Sequence, residues 1–396
     1  MLRIYLDHNA TTPVHSIVLE AMLPYMGSEF GNPSSAHYFG QRASQAIEGA
    51  REAVAALIGA RSSEIVFTSG GTEADNAAIL GVVSHAQRTQ KQSGRSPLHV
   101  ITTAIEHDAV LNACRALEAR GVSVTYVSAG RDGIVGPDAV RSAIRPETAL
   151  ISIMHTNNEI GTLQPIEEIG QIAAEADIPF HADAVQSAGK IPIDVNRFGV
   201  DLLSLSAHKF YGPKGAGALF VRKGVEIDPL LYGGGNERGR RAGTENVAAI
   251  VGLGKACELA RSEMAEASAH LCELRNRLEE GLLARIHGAR VNGDSARRVP
   301  NTSSLMLPGV ESESLVIALD LAGLACSAGA ACSSGAVDPS HVLTAIGLTP
   351  AEARASLRFS VGRANTREEI DEALELIPVA VTRQRDVATK RELATA

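Results

Sequence analysis

A lysine and an aspartate stand out for the chemistry they could share. Lys209 sits in Ser206-Ala207-His208-Lys209, and Asp183 lies 26 residues upstream in His181-Ala182-Asp183-Ala184-Val185-Gln186. Each follows a short apolar run, 178–180 and 202–205, that reads as a buried parallel strand, so both are expected at one edge of one sheet. Open α/β sheets bind ligands at that edge. A lysine able to form a Schiff base, opposite a carboxylate able to pair with a pyridinium nitrogen, is the protein's half of pyridoxal phosphate chemistry. Taken singly, each residue reads equally well as a surface lysine and a strand-end aspartate.

A second signal is Thr68-Ser69-Gly70-Gly71-Thr72-Glu73, which joins a strand to a helix beginning near Thr72. Exposed N–H groups and the positive end of the helix dipole bind phosphate there, and paired glycines let the backbone come close. On its own the segment also reads as a good turn and N-cap. Ser206 and His208, beside the lysine, add two phosphate-binding side chains.

Positioning these groups requires a sheet. Strand-like apolar runs at 64–68, 98–102, 122–127, 149–154, 178–182, 202–205 and 216–221 alternate with helical patterns such as 108–120 and 166–176. That alternation predicts an α/β fold with a mostly parallel seven-stranded sheet. A long helical region, 244–286, leads through the turn Asn292-Gly293-Asp294-Ser295 into strands at 305–307 and 357–361 and helices at 312–322 and 366–377. The expected organisation is a large domain, residues 13–260, and a smaller α+β domain formed by 1–12 and 261–396.

The chain has 396 residues, 45% hydrophobic and 21% charged, 37 glycines and no tryptophan, which fits a soluble enzyme of about two domains. Its net charge of −8 speaks against nucleic-acid or anionic-membrane binding. The first 13 residues lack a basic segment followed by a long apolar stretch, and no run approaches transmembrane length, so a cytoplasmic protein is expected. In that reducing compartment the five cysteines stay thiols. Cys114, Cys257 and Cys272 fall in helical apolar patterns and read as core fillers.

Longer blocks carry a family resemblance. Tyr5-Leu6-Asp7-His8-Asn9-Ala10-Thr11-Thr12-Pro13, Gly31-Asn32-Pro33-Ser34-Ser35, Gly71-Thr72-Glu73, Glu106-His107, Asn157-Asn158-Glu159-Ile160-Gly161, 181–186, 206–215, 237–244, Ala331-Cys332-Ser333-Ser334-Gly335 and Arg358-Phe359-Ser360 resemble, in order and over nearly the whole chain, the cysteine desulfurases among the fold-type I pyridoxal phosphate transferases. The blocks 233–246 and 332–343 look most like the NifS/IscS group.

The resemblance implies that Lys209 holds pyridoxal 5'-phosphate and later moves protons at the substrate Cα and cofactor C4′. Asp183 is implied to pair with the pyridine nitrogen, Gln186 with the phenolic oxygen, and His107 to stack on the ring and exchange a proton. Gly71, Thr72, Ser206 and His208 are implied phosphate ligands, and Thr244 resembles the threonine that reaches the neighbouring subunit's phosphate, which implies a homodimer with shared sites. Arg358 offers a planar fork suited to the carboxylate of L-cysteine, with Asn158 as a second donor near the cofactor. An arginine within the apolar strand around Leu357 and Phe359 needs an anionic partner.

The reaction is expected to turn on Cys332, in the segment AGLACSAGAACSSGA (322–336), whose small residues predict a mobile loop. Its thiolate would attack the sulfur of the bound substrate, leaving a persulfide and alanine, and either a lowered pKa or a nearby base must supply that thiolate. Cys326 reads as a packing residue at the loop base or as a resolving thiol. Persulfide sulfur is expected to pass to an acceptor protein such as an iron–sulfur scaffold, and other family members serve nitrogenase maturation or tRNA thiolation. The stretch 379–396 is polar and basic and unlike the extended ending with which housekeeping members meet their scaffold, so docking by that route is not expected. The competing expectations are a selenocysteine lyase, another β-lyase or aminotransferase, and a non-catalytic sulfur-relay protein.

Overall fold

The computed structural model describes residues 3–90, 97–328 and 339–395. Its strands are, in chain order, β1 (Ile4–Tyr5), β2 (Ile65–Thr68), β3 (His99–Thr103), β4 (Ser123–Val127), β5 (Thr148–Ser152), β6 (Phe180–Asp183), β7 (Leu202–Ser206), β8 (Gly217–Val221), β9 (Arg290–Val291), β10 (Thr302–Met306), β11 (Leu324–Ala325) and β12 (Ser356–Ser360). Seven form one sheet in the order β2-β8-β7-β6-β5-β3-β4. The pairs among β7, β6, β5, β3 and β4 are parallel, while β8 runs antiparallel to both β2 and β7. The expected mostly parallel sheet is present, with β8 as its reversed member.

Both faces of this sheet are covered, which is why its strands read as unbroken apolar runs rather than alternating ones. Ile65, Phe67, Leu203, Leu205 and Phe220 join one buried cluster, and their neighbours Val66, Leu202, Leu219 and Val221 join the other. Helices flank the sheet by the usual amphipathic logic. In Asp108–Glu118 the buried Ala109, Val110, Ala113, Cys114 and Leu117 recur at helical spacing on one stripe.

A third cluster holds Ile4, Leu6, Leu305, Leu307, Leu357, Phe359 and Ile370 around the sheet β12-β10-β9. One helix, Val247–Arg285, belongs to two cores: Leu253 and Cys257 pack in the first cluster, Leu274 and Leu278 in the third.

The structure departs from the sequence reading in several places. The helix Tyr38–Ile58 was not foreseen; it starts on His37, whose Nδ1 accepts from the Gly40 N–H, and ends at Gly59 with φ 71°. It lies so close to Val247–Arg285 that a Cβ on Gly254 would stand 2.6 Å from the Ala50 Cα. Strand β10 starts at Thr302 rather than at residue 305, because Thr302, Ser303 and Ser304 are buried although polar. The Ser303 hydroxyl donates to Glu279 at 2.6 Å, and that of Ser304 accepts from Asn292. The last helix, Arg367–Thr395, runs through Pro378 instead of stopping before it. Proline has no N–H for the carbonyl four residues back, Leu374, and Arg285 donates to that carbonyl instead. Cys272 is half-buried, with Arg275 Nη2 3.2 Å from its sulfur, and so is not the core filler expected. Cys114 and Cys257 are fully buried. Among the described residues no helix is long and apolar enough to cross a membrane.

Candidate active site

The carboxyl ends of β2, β3, β5, β6 and β7 open onto one cavity of about 540 Å³. Each of these strands delivers a polar group to it, because the chain leaves the buried sheet there and turns into a loop or a helix start.

After β2 the chain turns through Gly70 into the helix Gly71–Gln90. A Cβ on Gly71 would lie 2.6 Å from Val185 Cγ2, so only glycine fits. The first N–H groups of that helix have no intrahelical acceptor and face an anion site by default. Thr72, Ser206 and His208 line the same cavity. Burial, aided by Lys209 and Lys214, lowers the His208 pKa to about 4, so this ring is neutral, with Nδ1 3.1 Å from the Thr11 hydroxyl. Although burial opposes its charge, Arg241 and the Ser69 N–H hold the Glu73 carboxyl below its ordinary range.

After β3, His107 caps the helix Asp108–Glu118, its Nδ1 accepting from the Ala109 N–H at 3.1 Å. In the neutral ring the proton then belongs on Nε2, the edge left for a ligand. The histidine is at once a structural cap and a cavity-lining group.

Asp183 closes β6. Its Oδ1 accepts from the Val185 N–H at 2.8 Å, and burial raises its pKa while His107, that N–H and Lys209 oppose the rise. Beneath it His181 is fully buried between the Ser152 and Ser204 hydroxyls, 2.9 and 3.0 Å away, and burial lowers its pKa to about 3. Asp75, also buried, is pushed well up by burial and by Asp183. The layer under Asp183 thus holds a neutral imidazole, two hydroxyls and an acid whose charged form burial disfavours.

Lys209 follows β7 in the single turn Ala207–Lys209. Its Nζ donates to the carbonyls of Asn9 and Ala10 at 2.7 and 2.9 Å. Burial first, then Arg358, brings its pKa down to about 8, against the pull of Asp183 and Asp7. A primary amine of this acidity, poised over a carboxylate-bearing strand end, suits covalent chemistry with a carbonyl compound.

Across the cavity, Arg358 on β12 donates to Asp7 Oδ1 at 2.7 Å and to the Asn158 carbonyl at 3.0 Å. The anion that this buried arginine requires is thus already present within the chain, a pairing the sequence reading did not find. Asn158 itself lines the cavity. The Arg358 backbone exchanges two hydrogen bonds with Ser327. On the far side of residues 329–338, Ser340 donates to Glu159 at 2.6 Å and His341 Nε2 contacts the Glu106 carbonyl at 2.9 Å.

Of the residues singled out from sequence, Gly71, Thr72, His107, Asn158, Asp183, Gln186, Ser206, His208, Lys209 and Arg358 line this one cavity. Thr244 is exposed and does not line it. Cys332 lies outside the described residues. Cys326 is buried, and burial pushes its thiol up to about 12, which favours packing over a reactive role. Sequence reasoning passed over Asn9. This buried side chain meets Lys190, Asn158, Asn301 and Thr302, while its carbonyl takes both Lys209 and Gln186. Its only sequence signal was membership in the block 5–13. Among the described residues no cluster of His, Cys, Asp and Glu could hold a metal ion.

Residues 4–373 match the class-V aminotransferase family model. A cysteine desulfurase IscS of Methanosarcina thermophila is 51% identical over 394 residues, covering 99% of this chain and 96% of that relative. Among solved structures, a NifS-like protein superposes with a TM-score of 0.88 at 38% identity, covering 96% of this chain and 100% of that one. Another, described as SspA in complex with cysteine, has a TM-score of 0.80 at 42% identity, over 92% and 100% of the two chains.

Proposed function

The chain belongs to the class-V aminotransferase family and, within it, to the cysteine desulfurases, and from that premise we propose that pyridoxal 5'-phosphate seats in this cavity and that Cys332 receives the sulfur of L-cysteine. The observation that carries this reading is the convergence of Lys209, Asp183 and His107 with the Gly71 turn on one cavity. The residues fit the cofactor. A turn that admits no Cβ and the Ser206 and His208 side chains match a phosphate, Asp183 matches a ring nitrogen, and the Lys209 amine matches an aldehyde.

When bound, the cofactor supplies an electron-poor ring that draws charge from carbon atoms attached through nitrogen. The protein does the rest. Lys209 would tether the group through Nζ and, with its acidity near neutral pH, carry a proton to and from the substrate's Cα. Asp183, with His107 and Lys209 favouring its charged form against burial, would pair with the ring nitrogen and keep it protonated. His107 would offer Nε2–H on the open face. Gln186 would receive the ring oxygen, and Asn158 and Arg358 the substrate carboxylate, with Asp7 holding the guanidinium flat between them.

In the overall exchange the Cys332 thiol and L-cysteine become a Cys332 persulfide and L-alanine. The carbon–sulfur bond breaks, a sulfur–sulfur bond forms, and the proton balance closes within the two thiols. Chain length supports the reach. Cys332 follows Ser327, which is bridged to Arg358, by five residues, a span of at most about 18 Å when fully extended.

We assign residues 13–260 to a large cofactor-binding domain and 1–12 with 261–396 to a small one, whose sheet β12-β10-β9 has its own apolar cluster, while Val342, Leu343, Ile346, Leu348 and Ala353 pack into the cluster of the large sheet. On this reading Thr244 would reach toward a second copy of the chain. The exposed Leu23, Met26, Phe30, Tyr38 and Tyr232 give such a copy an apolar surface to cover. A cytoplasmic location and a protein acceptor such as an iron–sulfur scaffold complete the proposal. Incubation of the yellow holoenzyme with L-cysteine should yield alanine together with protein-bound sulfane sulfur. Formation of a keto acid instead would reassign the site to transamination, and a monomeric mass in solution would remove the shared-site arrangement.

A further inference from the structure

Lys190 has no place in the scheme above, yet it is 6% exposed and sits directly behind the cavity. It lies four residues beyond Gln186 on the helical turn that follows β6, which puts both side chains on one face. Its Nζ donates to Gln186 Oε1 at 3.0 Å and to Asn9 Oδ1 at 3.2 Å. Among the described residues no carboxylate forms an ion pair with it. An ammonium buried without a counter-charge is costly, and proteins keep one only where an anion or a fixed set of acceptors rewards it.

The hydrogen bonds define what this lysine does to its neighbours. An ammonium only donates, so both amides must turn their oxygens toward it. Gln186 therefore presents its NH2 edge on the other side, where one hydrogen goes to the Asn9 carbonyl at 3.0 Å and the second has no partner among the described residues. The same constraint aims Asn9 Nδ2 at the Asn158 carbonyl and Thr302. The charged and titratable groups around Lys190 are Lys209, Arg358 and His8, with no acid among them to balance it. Burial, with Lys209 and Arg358, lowers its pKa to about 7.

We propose that Lys190 is a positioning residue of this site: it locks the Gln186 amide with its N–H edge toward the cavity and places a positive charge behind the anionic ring oxygen that this edge receives. The inference rests on the cofactor reading and deepens it, because the occupant must carry an oxyanion at that end.

The test uses two variants of the holoenzyme purified with pyridoxal phosphate. Lys190→Met removes the charge and the donor, whereas Lys190→Gln removes the charge and keeps a donor for Gln186. In both, the pH midpoint at which the cofactor's visible absorption changes should rise by about one unit, since a cation facing Lys209 has gone. Lys190→Met should also lose cofactor on dialysis at least about tenfold faster than wild type. Lys190→Gln should retain it within about threefold. A Lys190→Met protein that titrates and retains cofactor like wild type would overturn the proposal, and equal cofactor loss in both variants would overturn the orienting role. If Lys190→Met does not fold, the midpoint of Lys190→Gln alone decides the charge. A colourless wild-type protein would instead refute the cofactor reading, which keeps the two failures apart.

Discussion

The two walls of the cavity are built by different physics. On the sheet side, Asp183 and Lys209 stand at the ends of strands whose side chains are buried on both faces, so the apolar core fixes their positions and hydrogen bonds only trim them. On the β10–β12 side, buried polar pairs are added to the apolar cluster of Leu305, Leu357 and Phe359: Asp7 with Arg358, Glu279 with Arg298 and Ser303, Ser340 with Glu159. Apolar packing tolerates changes of pH but not loss of volume. Polar pairing behaves the opposite way, because removing one partner leaves the other buried and unsatisfied. The wall of Lys209 and Asp183 is thus the rigid one, and the wall of Arg358 depends in addition on charge.

The largest effect should come from the rigid wall's reactive group. Lys209→Ala should reduce alanine formation by at least about a thousandfold while its circular dichroism stays native, since the strand beneath is untouched. Cys332→Ala should still bind cofactor and L-cysteine yet lose sulfur release, a split visible as normal spectral change on cysteine addition without turnover. Arg358→Lys should lower kcat/KM by about 30-fold or more, mostly through KM, because a point charge cannot bridge Asp7, Asn158 and a carboxylate together.

Two stability measurements compare the walls directly. Glu279→Ala, which strands the buried Arg298, should cost about 3–5 kcal/mol by denaturant unfolding. Leu203→Ala should cost about 2–5 kcal/mol through its cavity, with a loss independent of pH.

The smallest effect is a pH test. Burial raises the Glu106 pKa to about 8, although the Met154 N–H and Thr103 hydroxyl oppose it. The native state therefore binds the proton more tightly than the unfolded chain, and this group's contribution is fully present below about pH 4.5 and lost as pH rises through about 8. Glu106→Gln, which stays neutral, should gain about 2–4 °C in Tm over wild type at pH 9 and nothing at pH 4.

How legible each wall was follows from the same contrast. The seven strands of the large sheet were readable within a residue or two because double-sided burial writes continuous apolar runs into the chain, and Lys209, Asp183 and the Gly71 turn follow such runs. The β10 strand was placed three residues late, since Thr302, Ser303 and Ser304 are buried for their hydroxyls and leave no apolar trace. Asn9 and Lys190 were missed for a related reason: the Asn9 side chain meets partners 149 to 293 residues away, and Lys190, besides Gln186 four residues back, pairs with that same side chain 181 residues away, so no local pattern reports the cluster. The helix Tyr38–Ile58 escaped because its boundaries rest on a histidine cap and a glycine stop beside alanine-rich turns. Pro378 misled in the other direction, as the arginine that rescues the broken helix bond comes from another helix.

The central claim is that sulfur moves from the cavity to Cys332, and peptide mapping after a single turnover with L-cysteine tests it most directly. The account predicts one added sulfur atom on the peptide carrying Cys332, in step with one alanine formed per site. Alanine released with that peptide unmodified, or sulfur found instead on Cys326, would contradict it.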